Sequence, residues 1–396
     1  MITVAGGLYV ERCIEPRWDD AYGSGGRAAA ALSGAVPGIK LHTYRNTSLE
    51  DAEASLKSAY GILVDGPMAD REIAFDYFHS LATPKITPRP DAIPRHPTFE
   101  VSGDVVLRFG MLEGDAKVSA KVAVYDPQSA FDPRPFAENG SRADKLAVIL
   151  NRQEARQFSG KDDPYEGAVA LLDRNEADVV VLKMGGHGAL VATRDGQWQV
   201  PAYRSETVFK IGSGDVFSAA FTQFWALEKR SPAEAADLAS RATSHYVNTH
   251  GLPIPSAEAL MMMVAEPVIP GSGKIYIAAP FFNLAERWVV EEVRDQLLAM
   301  NVPVFSPLHD VGEGPGEVVA PLDLQGLDEC QAVLAILNGA DAGTIFEIGY
   351  AVARDIPVVG LAQNMRPEDV KMPAGSGCRI VGDLVSAIYH AVWALR

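Results

Sequence analysis

Short apolar runs recur along the chain, each closed by glycine, asparagine or aspartate and followed by a stretch whose apolar residues repeat at three and four. Alternation of buried strand and amphipathic helix predicts an α/β protein. The clearest case is Ala332-Val333-Leu334-Ala335-Ile336-Leu337, which carries no charge and is long enough for a buried strand but short for a helix. Asn338-Gly339 interrupts it, Gly343 supplies a tight turn, and Thr344 can cap a helix running on through Ile348, Ala351 and Val352. Asp341 then stands at the carboxyl end of a strand and Glu347 in the first turn of the next helix, at the edge where open α/β sheets bind ligands. Thr344-x-x-Glu347 also matches a capping box, in which the glutamate satisfies a helix amide. These four residues alone fit both roles.

The rhythm begins with a strand over residues 2–7. Gly23-Ser24-Gly25-Gly26 is a flexible turn feeding a helix that starts at Arg27, and residues 59–64 read as another buried strand ending at Asp65-Gly66. Pro84, Pro88, Pro90, Pro94 and Pro97 make residues 76–100 either a lid-like loop or an extended surface segment. From Asp144 the pattern is cleaner. A strand over 146–150 ends at Asn151, another over 177–182 breaks at Gly185-Gly186, and a hairpin covers 189–200. Gly212-Ser213-Gly214-Asp215 opens a helix reaching about residue 226, and Ser231-Pro232-Ala233-Glu234 aligns a cap, a first-turn proline and a capping-box glutamate. Proline, methionine and glycine gather over 252–273. The pattern then restarts with strands over 274–279, 302–305, 332–337 and 358–361, and helices over 284–300 and from about 382. The predicted division is a domain over 1–260, a linker over 261–273 and a smaller domain over 274–396.

Composition narrows the function classes. With 396 residues, 47% hydrophobic and 22% charged, the chain has material for two real cores. A formal charge of −16 without any Lys/Arg run argues against nucleic-acid binding through phosphate neutralisation. No apolar stretch reaches the length of a membrane span, and the opening residues lack the basic start and cleavage site of a secretory signal. Cys13, Cys330 and Cys378 are odd in number and far apart, which fits free thiols in a reducing, cytoplasmic setting. The histidines form no H-x₃-H or H-E-x-x-H spacing, so no structural metal is expected.

Gly212-Ser213-Gly214-Asp215 places two glycines and a helix N-terminus where a transferring phosphoryl group could rest, with Asp215 able to take a hydroxyl proton; Asp215 could equally just stabilise the helix start. The segment resembles the anion-hole motif of ribokinase-like (PfkB-type) carbohydrate and nucleoside kinases. Asn151-x-x-Glu154 resembles that family's N-x-x-E motif, and Val180 to Ala189 resembles its strand–glycine–hairpin border of the nucleotide site. The resemblance implies a three-layer α/β sandwich in which Asp215 is the catalytic base. Gly212, Ser213, Gly214, Asn151 and Gly185 would line the ATP site, and Glu154 would organise Mg²⁺ through water. The family's sugar grip, an early aspartate and a G-G-x-x-x-N segment, is absent: Glu11 and Gly25-Gly26-Arg27-Ala28-Ala29-Ala30 stand there instead. The phosphate end is familiar and the acceptor end is not.

Beyond Lys274, Ile275-Tyr276-Ile277-Ala278-Ala279-Pro280-Phe281-Phe282, Asp323-Leu324-Gln325-Gly326-Leu327 and the Asp341 to Tyr350 stretch together resemble the nucleoside 2-deoxyribosyltransferase family. That resemblance implies a flavodoxin/Rossmann-like parallel α/β domain. In it Glu347 is the nucleophile, Asp341 and Asp323 line the base pocket and help protonate the leaving base, and Tyr276 hydrogen-bonds the nucleophile. It implies no cofactor, and an oligomer, because such enzymes complete their pockets across subunits. Pro280-Phe281-Phe282-Asn283 stands where relatives acting on nucleoside 5′-monophosphates carry a Ser/Arg/Gly-rich loop, which favours a neutral nucleoside. Transfer to a second base and transfer to water remain open, as does a first domain that senses nucleotide without catalysis. The expected partners are ATP and a nucleoside or sugar.

Overall fold

The computed structural model describes residues 2–129, 133–175, 177–269 and 271–395. Two compact units divide the chain, Met1–Val268 and Ile269–Arg396. Residues 266–268 still belong to the first: Arg204 N donates to Glu266 O (2.9 Å) and Val268 N to Ala202 O (2.8 Å).

The first unit is built on a nine-stranded mixed sheet in the spatial order Gly196–Val200, Ala189–Thr193, Val179–Lys183, Arg142–Asn151, Ala116–Asp126, Phe99–Phe109, Ile2–Ala5, Lys40–His42 and Leu63–Asp65. From Val179–Lys183 to Leu63–Asp65 every pairing is parallel, and the Ala189–Val200 hairpin closes one edge antiparallel. Strands buried on both faces explain the uninterrupted apolar runs. Along Arg142–Asn151, Ala147 and Ile149 enter one core while Leu146, Val148 and Leu150 enter the other. Each of the isoleucine, leucine and valine side chains contributes about 1.5–3 kcal/mol by leaving water. Parallel strands also bring their carboxyl ends to one edge, so Asp126, Asn151 and Lys183 close three adjacent strands there.

Two local readings change. Residues 59–64 are not one strand: the helix Glu50–Tyr60 runs into them, Gly61 caps it in the left-handed region (φ 67°), and the strand is Leu63–Asp65. The alanine, glutamate and lysine content of residues 50–60 supports a helix, and the apolar pattern of 59–64 obscured its end. The proline-rich segment, which reads as either a loop or an extended segment, forms paired extended strands over part of its length. Ala74–His79 and Lys85–Thr87 join Val10–Glu15 and Trp18–Ala21 in a separate four-stranded sheet.

The second unit has five parallel strands in the spatial order Val304–Phe305, Ile275–Ala278, Ala332–Ile336, Val358–Leu361, Arg379–Val381. Numbered along the chain this is 2-1-3-4-5, the flavodoxin-like winding. Helices Leu284–Ala299 and Leu384–Ala394 bury one face; Gly316–Asp328 and Ala342–Ala353 bury the other. The winding reverses between Ile275–Ala278 and Ala332–Ile336. Both the first-strand tyrosine and the helix bearing Glu347 belong to that switch point.

Gly188 and Gly160 separate two costs of a side chain at a left-handed glycine. Gly160 (φ 70°) has open space, whereas a Cβ on Gly188 (φ 82°) would lie 1.9 Å from Val200 O in the hairpin. Gly160→Ala is expected to cost about 1–2 kcal/mol, and Gly188→Ala clearly more, because the hairpin backbone must move as well. Urea unfolding of the two variants checks the order.

Candidate functional sites

In the second unit, Tyr276 Oη donates to Glu347 Oε1 at 2.6 Å. The tyrosine is fully buried on the first strand, and its ring stacks on Phe305 at 5.4 Å. Glu347 lies past the first turn of the helix Ala342–Ala353. Burial pushes its carboxyl up to about 7, the tyrosine hydrogen bond pulls it down, and the neighbouring charges of Asp323 and Asp341 push it up again. Burial also raises Asp323, whose Oδ1 is buried without a hydrogen-bond partner among the described residues. The site therefore holds three acids and a phenol, with a nucleophile candidate that ionises near neutrality and a second acid biased towards its protonated form.

Asp341 has a local role besides the one expected of it. It is the N-cap: its Oδ2 accepts from Thr344 N (2.8 Å) and from Thr344 Oγ1 (3.1 Å). Thr344 is thus inside the helix rather than capping it, and Glu347 bonds Tyr276 instead of a helix amide. The cap starts three residues earlier than the text of the motif suggested, which frees Glu347 for the strand edge. Asp341 still acts on Glu347 through its charge.

In the first unit, Gly212 (φ 75°) precedes the helix Ser213–Phe221. Ser213 N donates to Lys210 O (3.1 Å) and Val216 N to Gly212 O (3.0 Å). The amides of Gly214 and Asp215 lie in the first turn, where a helix provides no acceptor. Asp215 is buried and doubly held: Arg27 Nη1 donates to Oδ2 at 3.1 Å and Gln128 Nε2 to Oδ1 at 2.6 Å. Burial pushes its carboxyl up to about 6, with Arg27 opposing and Glu11 and Asp126 adding to the rise. Arg27, wholly buried, also pairs with both oxygens of Glu11 and lies over the Tyr22 ring at 5.3 Å. A Cβ on Gly212 would fall 2.1 Å from Arg27 Nε, so this glycine lets the guanidinium lie against the turn.

Asn151 and Glu154 form a full capping box: Oδ1 of Asn151 accepts from Glu154 N (2.9 Å) and Oε2 of Glu154 accepts from Asn151 N (2.7 Å). Burial and the charge of Asp126 raise Glu154. Gly185 (φ 58°) starts the turn between Val179–Lys183 and the hairpin. Among the described residues no three His, Cys, Asp or Glu side chains gather as metal ligands.

Four residues of this site were not predicted: Arg27, Gln128, Lys183 and Asp126. Lys183 was the one signal at hand, a lysine closing the apolar strand Val179–Lys183. The other three depend on partners far along the chain.

Comparison with known proteins matches this division. Residues 129–259 match the pfkB family carbohydrate kinase, and residues 275–377 match the nucleoside 2-deoxyribosyltransferase family. The chain thus carries one segment similar to a kinase family and another similar to a deoxyribosyltransferase family. No curated protein matches it in sequence. Solved structures similar to it include a pyrophosphate-dependent kinase in the ribokinase family complexed with a pyrophosphate analog and myo-inositol, at 15% identity and TM-score 0.48, covering 66% of this chain and 99% of that one. Another is ribokinase from Thermotoga maritima, at 16% identity and TM-score 0.45, covering 66% of this chain and 98% of that one. A third is phosphofructokinase-2 from Escherichia coli in complex with potassium, at 15% identity and TM-score 0.47, covering 66% and 96%.

Tyr276→Phe removes the one contact that pulls Glu347 down, so the midpoint of its ionisation is expected to rise above about 7. Carboxyl-labelled glutamate followed by NMR across pH reads this directly; an unchanged or lower midpoint contradicts the assignment. Folding takes up a proton at Glu347 between about 4.5 and 7, so ionising it costs stability as pH rises through that window. Glu347→Gln should accordingly raise the melting temperature at pH 8 and leave it nearly unchanged at pH 4.5.

Proposed function

We propose that the chain is a bifunctional nucleoside or sugar salvage enzyme, whose second unit cleaves or exchanges the N-glycosidic bond of a nucleoside and whose first unit transfers a phosphoryl group from ATP to a sugar or nucleoside hydroxyl. The observation that carries the first half is the 2.6 Å hydrogen bond from Tyr276 to Glu347 beside Asp323 and Asp341. Glu347 attacks the anomeric carbon. A bond from its oxygen to that carbon forms while the carbon–nitrogen bond breaks, and the electron pair leaves with the base. Asp323, raised by burial, is the better placed donor of the proton the base takes up, since Asp341 is committed to the helix start. Water or a second base then attacks the same carbon and frees Glu347, giving hydrolysis or transfer respectively.

In the first unit the acceptor oxygen bonds to the terminal phosphorus of the donor as the bridging phosphorus–oxygen bond breaks. The leaving diphosphate keeps the electron pair, and Asp215 takes the hydroxyl proton. The amides of Gly214 and Asp215 face the negative charge that builds on the transferred group. A divalent cation, when bound with ATP, would supply further charge neutralisation, held through water near Glu154. Joined in one chain, the two reactions fit successive steps: a sugar released by one unit, or a nucleoside destined for it, is phosphorylated by the other. A small-molecule partner and an oligomer are part of this reading.

A second reading has its own support. Both oxygens of Asp215 are already engaged, by Arg27 and by Gln128. A base so held fits a domain that binds nucleotide without transferring phosphate and serves the glycosidic site as a sensor or assembly module.

Glu347→Ala is expected to lower N-glycosidic cleavage roughly a thousandfold and to abolish the trapped glycosyl adduct in mass spectra, with ADP formation kept. Asp215→Asn is expected to lower ADP formation from ATP by a factor on the order of a hundred to ten thousand, with glycosidic cleavage kept. A nucleoside panel incubated with ATP and Mg²⁺, with and without an acceptor base, reads both reactions. Steady ADP formation by the wild type eliminates the sensor reading, and none with any acceptor eliminates the kinase.

A further inference from the structure

Lys183 is a half-buried cation that neither half of the proposed mechanism uses. It closes the strand Val179–Lys183, beside Asn151 in the sheet register. Its ammonium meets Asp126 Oδ2 at 2.5 Å, and Ser218 Oγ, one turn beyond Asp215, donates to the same oxygen at 2.8 Å. Among the described residues Asp126 is the one hydrogen-bond acceptor that the ammonium meets, so two of its three N–H bonds point elsewhere. Asp126 is 1% exposed, and its other oxygen meets no donor among the described residues.

The position of the ammonium relative to Gly214 shows where those bonds lead. A Cβ on Gly214 would stand 3.4 Å from Lys183 Nζ. Gly214 has no left-handed backbone to explain its residue type. What the missing side chain leaves uncovered is the ammonium, next to the Gly214 and Asp215 amides, for which the helix provides no acceptor. Two groups of donors, these amides and the ammonium, are thus neighbours.

Charge makes the same demand. Glu11, Asp126, Glu154 and Asp215 face Arg27 and Lys183 in this buried region. A phosphoryl group arriving there brings more negative charge, and Arg27 is already taken up by two carboxylates. Burial disfavours the ammonium, but Asp126, Glu154 and Asp215 outweigh it and keep the lysine protonated.

We propose that Lys183, held by Asp126 and uncovered by Gly214, is a catalytic residue of the first unit that binds the transferred phosphoryl group beside the Gly214 turn. The proposal rests on the kinase reading for its chemistry and on the geometry for its site. As the group passes from donor to acceptor, its equatorial oxygens accept from the Lys183 ammonium; no proton leaves the lysine, and the hydroxyl proton still goes to Asp215.

The probe is inorganic phosphate, titrated into the full chain in the presence of ADP and Mg²⁺ and read by calorimetry. Lys183→Met is expected to weaken phosphate binding at least tenfold. Asp126→Asn is expected to tighten it threefold or more, because it removes a competing negative charge and releases the ammonium. A merely structural Asp126–Lys183 ion pair predicts weakening by both. Binding by Lys183→Met as tight as wild type, weaker binding by Asp126→Asn, or no phosphate binding by the wild type overturns the proposal. Should Lys183→Met fail to fold by circular dichroism, the sign of the Asp126→Asn effect decides. Lys183-dependent phosphate binding in a protein that forms no ADP with any acceptor upholds the subsite and removes the kinase reading.

Discussion

Each unit withdraws carboxylates from water at the carboxyl edge of a parallel sheet, and the way each compensates that cost sets the character of its site. A buried carboxylate without a partner either protonates or destabilises the fold. In the first unit the compensation is full charge. Arg27 spans Glu11 and Asp215, and Lys183 holds Asp126. Removing one partner of such a buried pair typically costs about 3–5 kcal/mol, because the other charge is stranded. In the second unit Glu347 meets no cation among the described residues, only the hydroxyl of Tyr276. A neutral donor compensates less, so Glu347 ionises near 7 rather than in the usual carboxylate range.

That difference separates two kinds of chemistry. Phosphoryl transfer handles large negative charge, and a site rich in fixed cations and helix amides suits it. Cleavage of an N-glycosidic bond builds positive charge on the sugar, and a weakly compensated carboxylate beside further acids suits that. The flavodoxin-like winding puts Tyr276 and Glu347 on two elements that flank the switch point. The larger sheet puts Asp126, Asn151 and Lys183 on three adjacent strand ends.

Much of this architecture is legible in the sequence, and the limits of legibility have physical causes. Strands buried on both faces read directly as apolar runs, as at Ala332 to Leu337, because burial leaves no choice of residue type. The capping box at Ser231 is a local hydrogen-bond pattern and emerged where the spacing placed it. At Thr344 the same spacing misled, because Asp341 supplies an equally short acceptor three residues earlier and wins the cap. The Tyr276–Glu347 bond joins residues 71 apart and was legible only through resemblance to a family. The Arg27–Asp215 pair spans 188 residues, and nothing local announces it. The positions of the family's sugar grip looked unfamiliar for that reason; Glu11 and Arg27 stand there as members of an internal ion pair with Asp215.

Gly212 and Arg27 have a consequence for how this sequence can change. The guanidinium occupies the volume that any side chain at position 212 would need, and its charge is what lets Glu11 and Asp215 be buried together. Loss of Arg27 alone leaves two facing acids, and a larger residue at 212 alone collides with Arg27. Glu11, Arg27 and Gly212 are therefore a linked set, in which each substitution is tolerable only after another has been made. Descendants of this chain should cross to a different acceptor site through a narrow order of replacements, and homologues should carry the three residues together or replace them together.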